Sequence, residues 1–149
     1  LRRRFSSPIH LAEFGFATAE EQLTFRSVLQ HLQSLMPYQE GLDLSDSEVA
    51  MRFHFATNGL IDYVVKIIDE LVIASARNPH PTVDYNALQH AFKVQVWSDV
   101  PDALNPFNPA ITPRRLDQAN EPFSIWDDPT AYTLSQRARA ATGSGKRNK

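Results

Sequence analysis

The sequence contains no cysteine among its 149 residues. That excludes a disulfide framework, a thiolate zinc site and a cysteine nucleophile, and it fits a reducing compartment, so we expect a cytoplasmic protein. The sequence also lacks a long uninterrupted apolar run. Its most apolar stretch, residues 60–76, is broken by four charged side chains. Since a membrane-spanning helix needs about 20 predominantly apolar residues, we predict no contact with a membrane.

The N-terminus lacks both an initiator methionine and a signal peptide. Residues 2–4 are three consecutive arginines, but no apolar segment follows them. We therefore expect the chain to begin inside a longer protein.

Positive charge is scarce in the body of the chain. Residues 5–113 carry five Lys or Arg against thirteen Asp or Glu, a net charge of −8, whereas residues 1–4 and 114–149 are each +3. An acidic body repels phosphates, so any DNA contact is expected at the two ends. The larger basic group lies at the C-terminal end and includes Arg137, Arg139, Lys146, Arg147 and Lys149.

The sequence also lacks the combinations of side chains that form catalytic, metal-binding or phosphate-binding sites. The five histidines fall on separate predicted elements, and none is paired with another ligand at helical spacing. Residues 143–146 read Gly-Ser-Gly-Lys but lack the remaining spacing, the strand and the helix of a phosphate-binding loop. We predict no catalytic residue, no metal and no bound cofactor for this chain by itself.

Two capping boxes open the first two predicted helices. In a capping box, a Ser or Thr side chain accepts from a free backbone N–H, and a Glu three residues later reaches back to the cap. The first box is Thr18 with Glu21, and the second is Ser45 with Glu48. An Asn-Gly pair at residues 58–59 ends the second helix.

The remaining pattern completes a mainly α fold. A third helix over residues 60–77 is apolar around more than half its circumference, which predicts a central position, and Asp84 caps a fourth. Rough alternation over residues 8–16 predicts a short strand or extended segment. We therefore predict a bundle of about four helices over residues 18–97, followed by a long irregular tail over 98–149.

Prolines interrupt the tail and separate its apolar residues into small islands. Such a segment is expected to lie extended along a surface, either its own or a partner's. The predicted anchors are Phe107, Phe123, Ile125 and Trp126. They fold back into a groove between the first and third helices, or they dock on another protein with Trp126 as the main contact.

The start of the chain resembles AAA+ ATPases. The residues Leu1-Arg2-Arg3-Arg4-Phe5, then Ile9-His10-Leu11, then a Thr-capped helix, are similar to the segment that joins the last core strand to the helical lid. Further motifs resemble the lid of TniB/TnsC-type transposition ATPases. They are Leu35-Met36-Pro37, Phe55-Ala56-Thr57-Asn58-Gly59 and Ala74-Ser75-Ala76. Two tail segments, Asn105-Pro106-Phe107-Asn108-Pro109 and Glu121-Pro122-Phe123, resemble C-terminal extensions of TnsC-type proteins.

The resemblance implies roles for particular positions. Residues 1–17 correspond to the end of an ATPase core, and Arg4 matches the arginine that reaches the nucleotide of a neighbouring subunit. Gly59 falls where many lids begin a Gly-x-x-Arg helix, but Asp62 stands at the arginine position, so we predict no nucleotide contact from this helix. The parent protein would use ATP and magnesium.

The function implied by the resemblance is ATP-dependent regulation of DNA transposition. The expected partners are the protein's own ATPase subunits, a transposase or target-selector protein, and DNA through the oligomer. A freestanding helical protein-interaction module, unrelated to ATPases, is the main alternative. A DNA-binding helical domain is a third, disfavoured by the acidic body.

Overall fold

The structure, a computed structural model, describes residues 13–38, 40–78 and 80–124. In those ranges the chain forms four helices, which are α1 (Ala19–Ser34), α2 (Ser47–Thr57), α3 (Ile61–Ser75) and α4 (Tyr85–Gln95). The described residues contain no strand, and the predicted mainly α bundle of about four helices is confirmed. No helix in this part of the chain is long and apolar enough to cross a membrane.

The segment before α1 is irregular. Residues 13–16 of the predicted 8–16 strand are described and form no strand, while residues 8–12 lie outside the described part. The backbone N–H of Phe14 donates to the carbonyl oxygen of Gly59 at 2.9 Å. Of the two predicted alternatives, a short strand or an extended segment, the strand is therefore wrong for residues 13–16, because the Phe14 N–H pairs with a helix–helix turn and not with another strand.

The capping box predicted for α1 is present. The Thr18 hydroxyl accepts from the backbone N–H of Glu21, and the Glu21 carboxylate accepts from the N–H groups of Thr18 and Ala17. Because the backbone hydrogen bonds from Thr18 and Ala17 favour the charged form, they lower the pKa of Glu21. The start of α1 is thus fixed by hydrogen bonds among Ala17, Thr18 and Glu21.

The cap of α2 is Asp46 and not the predicted Ser45. The Asp46 carboxylate accepts from the N–H groups of Glu48 and Val49. Ser45 donates both its N–H and its hydroxyl to the Asp43 carboxylate, at 2.8 and 2.6 Å. The serine prediction was wrong because a second carboxylate, two residues upstream, captures the Ser45 hydroxyl and in doing so lowers the pKa of Asp43.

The turn between α2 and α3 ends the second helix as predicted. Asn58 and Gly59 both have positive φ, at 51° and 73°. A side chain on Gly59 would place its Cβ 2.3 Å from the carbonyl oxygen of Phe14. Glycine is required here both by the backbone conformation and by the close approach of Phe14.

The central position predicted for the third helix is confirmed. α3 packs against each of the other three helices, most extensively against α4. Its inward face consists of Val64, Ile67, Ile68 and Leu71. The largest fully buried apolar side chains contributed by the other helices are Phe25, Leu29, Phe53, Leu88 and Phe92.

A backbone bridge joins the α1–α2 connection to the α3–α4 connection. Gly41 and Val83 form an isolated parallel β-bridge, in which Leu42 N–H donates to Val83 and Val83 N–H donates to Glu40, both at 2.8 Å. Gly41 has φ 110°, and its Cα approaches the Val83 backbone too closely for a side chain. These backbone hydrogen bonds therefore tie the α1–α2 connection to the α3–α4 connection.

Beyond α4 the described chain is irregular. Residues 98–114, which the sequence pattern assigns to the tail, belong to one compact unit that spans Leu1–Arg114. Residues 115–124 are the described part of a second unit. Within it, Phe123 N–H donates to Leu116, and Gln118 N–H donates to the Glu121 carboxylate.

Candidate interaction sites

Most of the predicted site residues lie outside the described part of the chain. They are Arg4, Ile125, Trp126, Arg137, Arg139, Lys146, Arg147 and Lys149. Their roles stay predictions. Phe107 and Phe123 are the two predicted anchors that the structure describes. Among the described residues, no group of three or more His, Asp or Glu side chains could hold a metal ion.

Phe107 is packed in the protein's own core. Its side chain is 0 % exposed, and its ring meets those of Phe53 and Phe92 edge-on, with centroids 4.9 and 6.3 Å apart. Phe107 therefore folds back in cis, against α2 and α4 and not into the predicted groove between the first and third helices. The prediction that it docks a partner is corrected, because no surface of the ring is left for one.

Arg52 holds the segment that carries Phe107, and sequence analysis assigned it no such role. This α2 side chain is only 4 % exposed and donates to three backbone carbonyl oxygens of residues 106–111, at 2.8, 2.8 and 3.2 Å. The acceptors are Pro106, Asn108 and Ile111. It also pairs with Glu48, one turn earlier on the same helix. The available signal was a charged residue among the mainly apolar inward side chains of α2.

Asn105 shapes the backbone on which Phe107 lies. Its side chain is buried, accepts from the N–H of Phe107 at 3.1 Å and donates to the carbonyl of Gln89 at 3.3 Å. An asparagine that bonds the backbone two residues ahead forms a local turn. We name residues 98–113 the 98–113 strip. Because its hydrogen bonds and its aromatic ring are committed to the bundle, the strip is a part of the fold.

Phe123 belongs to the second unit and is half-buried. Its N–H donates to the carbonyl oxygen of Leu116, which closes a small loop over the intervening residues. The docking prediction for Phe123, Ile125 and Trp126 stays a prediction.

Before α1, an aromatic cluster attaches the chain to the bundle. Phe14 makes two backbone contacts, donating to Gly59 and accepting from Nε2 of His54 at 2.8 Å. The rings of Phe14 and Phe16 lie 5.8 and 6.0 Å from that of Phe25, and Phe16 stacks on His54 at 5.0 Å. We name this contact the Phe14 junction. It fixes residues 13–16 to α1 and to the α2–α3 turn.

An apolar groove lies between the C-terminal end of α1 and α3. It encloses about 270 Å³ and is lined by Leu32, Leu35, Met36, Pro37, Val65, Ile68, Asp69 and Val72. Leu35 is 69 % exposed and Val65 is 37 % exposed. We name it the α1–α3 groove. Contiguous exposed apolar side chains are the ordinary sign of an interaction surface, whereas isolated ones are not.

A second depression on the surface is polar, and it is less suited to binding a ligand than the α1–α3 groove. It is lined by Gln30, Gln33, Ser34, Gly41 and Asp43. The Gln33 side chain already donates to Leu42 and accepts from Leu44, and Asp43 accepts from Ser45. Those polar groups therefore stabilise the α1–α2 connection, and the depression has few left for a ligand.

No protein-family model, no curated protein and no solved structure matches this chain.

Proposed function

We propose that this chain is the helical lid and C-terminal extension of an ATP-dependent regulator of DNA transposition, of the TniB/TnsC type. The resemblance supplies the family, and one structural observation supports it most, the Phe14 junction. The resemblance assigns the residues up to 17 to the end of an ATPase core. The junction couples their last described part to the bundle through two backbone hydrogen bonds and an aromatic cluster.

Such coupling is what a lid requires. A lid responds to nucleotide only if movement of the core is passed to its helices, so the connecting segment has to be held and not free to swivel. Phe14 is held on both of its backbone polar groups, and Gly59 permits that contact because it has no side chain. Asp62, at the position of the missing lid arginine, is exposed and pairs with Lys66. The nucleotide contact would therefore come from Arg4 of an adjacent subunit.

The first prediction tests Arg4 in the full gene product. Arg4→Ala should lower the rate of ATP hydrolysis roughly 10³-fold, because an arginine finger stabilises charge that develops in the transition state, while ATP binding is retained. Hydrolysis is measured by phosphate release, and binding by calorimetry. Arg2→Ala is the matched control from the same basic cluster and should leave hydrolysis nearly unchanged.

Two results would count against this proposal. A full-length protein that binds no ATP would remove the ATPase function altogether. Equal losses in Arg4→Ala and Arg2→Ala would remove the specific role of Arg4.

The α1–α3 groove favours a second function, that of a freestanding helical interaction module. The groove is an exposed apolar surface, and a partner could bind it without any nucleotide. The ATP-binding measurement separates the two functions, because only the lid belongs to a protein that binds ATP.

A further inference from the structure

The α1–α3 groove contains one charged side chain in an otherwise apolar lining. Asp69 lies between Val65 and Val72 on the exposed face of α3, and it is the groove's sole ionisable residue. Its carboxylate forms no ion pair or side-chain hydrogen bond with any other described residue. The groove therefore presents an uncompensated negative charge among apolar side chains.

The other α3 carboxylates are already used inside the protein. Asp62 pairs with Lys66 at 2.7 Å, one turn along the helix, and Glu70 accepts from the side chain of Gln95 on α4 at 2.9 Å. Of the three α3 carboxylates, Asp69 therefore differs in having no partner among the residues that the structure describes. A ligand that covered the groove with apolar groups alone would desolvate this carboxylate without compensation, which is unfavourable.

We propose that the α1–α3 groove binds an amphipathic helix of another protein, one that carries leucine-like side chains on one face and a Lys or Arg opposite Asp69. Charge complementarity selects this occupant: the groove supplies the anion, and residues 5–113 as a whole carry −8. An apolar groove between two helices is the usual receptor for a helix that presents side chains three and four positions apart. The proposal holds whether or not the chain is part of an ATPase.

A second copy of this chain fits the groove less well. In a twofold-symmetric pair the same patch meets itself, so Asp69 would face the same acidic groove of the other copy. Residues 5–113 of the two copies, each with a net charge of −8, would also repel each other. A small-molecule ligand is disfavoured because the groove lining offers a single polar side chain, Asp69, whereas small-molecule sites place several polar groups around the ligand.

The second prediction uses three fluorescent 18-residue peptides as probes, with binding followed by anisotropy. The first is an amphipathic helix with leucines on one face and lysines beside them. The second has glutamates in place of the lysines, and the third is a scrambled form of the first. The wild-type protein should bind the lysine peptide at least tenfold more tightly than either of the others.

Variants locate the binding surface. Leu35→Asp and Val65→Asp should each weaken binding of the lysine peptide at least tenfold. Val94→Asp is the matched control, because Val94 is similarly exposed but lies on α4 outside the groove. Asp69→Lys should reverse the preference, so that the glutamate peptide binds more tightly. Circular dichroism of each variant checks that the helices are intact. If Val65→Asp fails to fold, the binding result for Leu35→Asp alone decides the test. Leu35 is the more exposed of the two, so its substitution disturbs the fold less.

Several outcomes would overturn the proposal. One is a preference for the lysine peptide that survives Asp69→Lys, and another is equal weakening by Val94→Asp and Leu35→Asp. Equal binding of the scrambled peptide would also overturn it. Sedimentation that reveals a dimer, dispersed by Leu35→Asp, would assign the groove to a second copy instead.

Discussion

Arg52 illustrates how a single buried cation can organise a segment far from it in sequence. A charged side chain that leaves water needs partners for most of its donors. Arg52 finds three backbone carbonyls in the 98–113 strip and the Glu48 carboxylate, and its guanidinium lies 5.6 Å from the ring centre of Tyr85. The planar fork of arginine suits several acceptors at once, which a lysine ammonium does not match. Arg52 therefore determines where the strip runs.

The third prediction concerns Phe107. Phe107→Ala should lower the free energy of unfolding by about 3–5 kcal/mol, because it removes a fully buried ring from between Phe53 and Phe92 and leaves a cavity. Urea titration followed by circular dichroism measures the change. Phe107→Leu keeps most of the volume and should cost clearly less. A free energy of unfolding that is indifferent to Phe107→Ala would mean that the strip does not pack on the bundle.

Residue-scale roles were only partly accessible from the sequence. Phe107 was recognised as an anchor because it is an aromatic island among prolines, but the island pattern does not say which surface receives it. Its receptor is built from Phe53 and Phe92, which come from two different helices. The sequence shows Arg52 as a charged residue among the apolar side chains of α2. Its acceptors are backbone carbonyl oxygens, which every residue has, so the sequence pattern could not predict them.

At the scale of the helix, local hydrogen bonding decides each end. The α1 box was predictable because both of its interactions join residues three apart. The α2 cap was missed by one residue, since two carboxylates compete around Ser45 and periodicity cannot rank them. The pattern over 8–16 predicted a short strand or an extended segment. It could not predict the pairing of Phe14 with Gly59, because that turn lies more than forty residues later.

The fourth prediction is a pH dependence that arises from Glu21. Its pKa in the folded protein is lowered, so its contribution to stability is present above the unfolded value of about 4.3 and is lost as the pH falls through the folded value. Glu21→Gln lacks this titration. The stability difference between the two proteins should therefore be constant near neutral pH and shrink below about pH 4. Thermal unfolding across that range measures it.

A comparison variant makes this assignment specific. Glu20→Gln removes a carboxylate from the same first turn that takes no part in the capping box. If Glu20→Gln shows the same pH profile as Glu21→Gln, the effect comes from general charge and not from the capping box.

At the scale of the whole molecule, charge is segregated along the chain. Residues 5–113 are strongly acidic, whereas residues 131–149 hold five positive side chains and no negative one. The helical fold and the central position of α3 followed from apolar periodicity and are present in the structure. The roles of the basic ends were also inferred from sequence, and they concern residues outside the described part.

The fifth prediction is that DNA binding is weak and confined to those ends. Deletion of 131–149 should abolish most of the affinity for duplex DNA at 50 mM salt, and alanines at residues 2–4 should remove the remainder. Fluorescence anisotropy at several salt concentrations provides the measurement. Salt-resistant binding by a protein that lacks both basic ends would contradict the charge argument.

The long-range contacts of Arg52 have a consequence for how the protein is made. Its three carbonyl acceptors lie 54 to 59 residues downstream. During synthesis α2 leaves the ribosome well before residues 106–111, so for that interval the guanidinium has no acceptor from the strip and Phe53 has no Phe107 against it. All four helices can be complete while the core is still open. The core is therefore complete only once the 98–113 strip has left the ribosome, and a nascent chain exposed only as far as residue 97 would display an unfinished hydrophobic surface to chaperones.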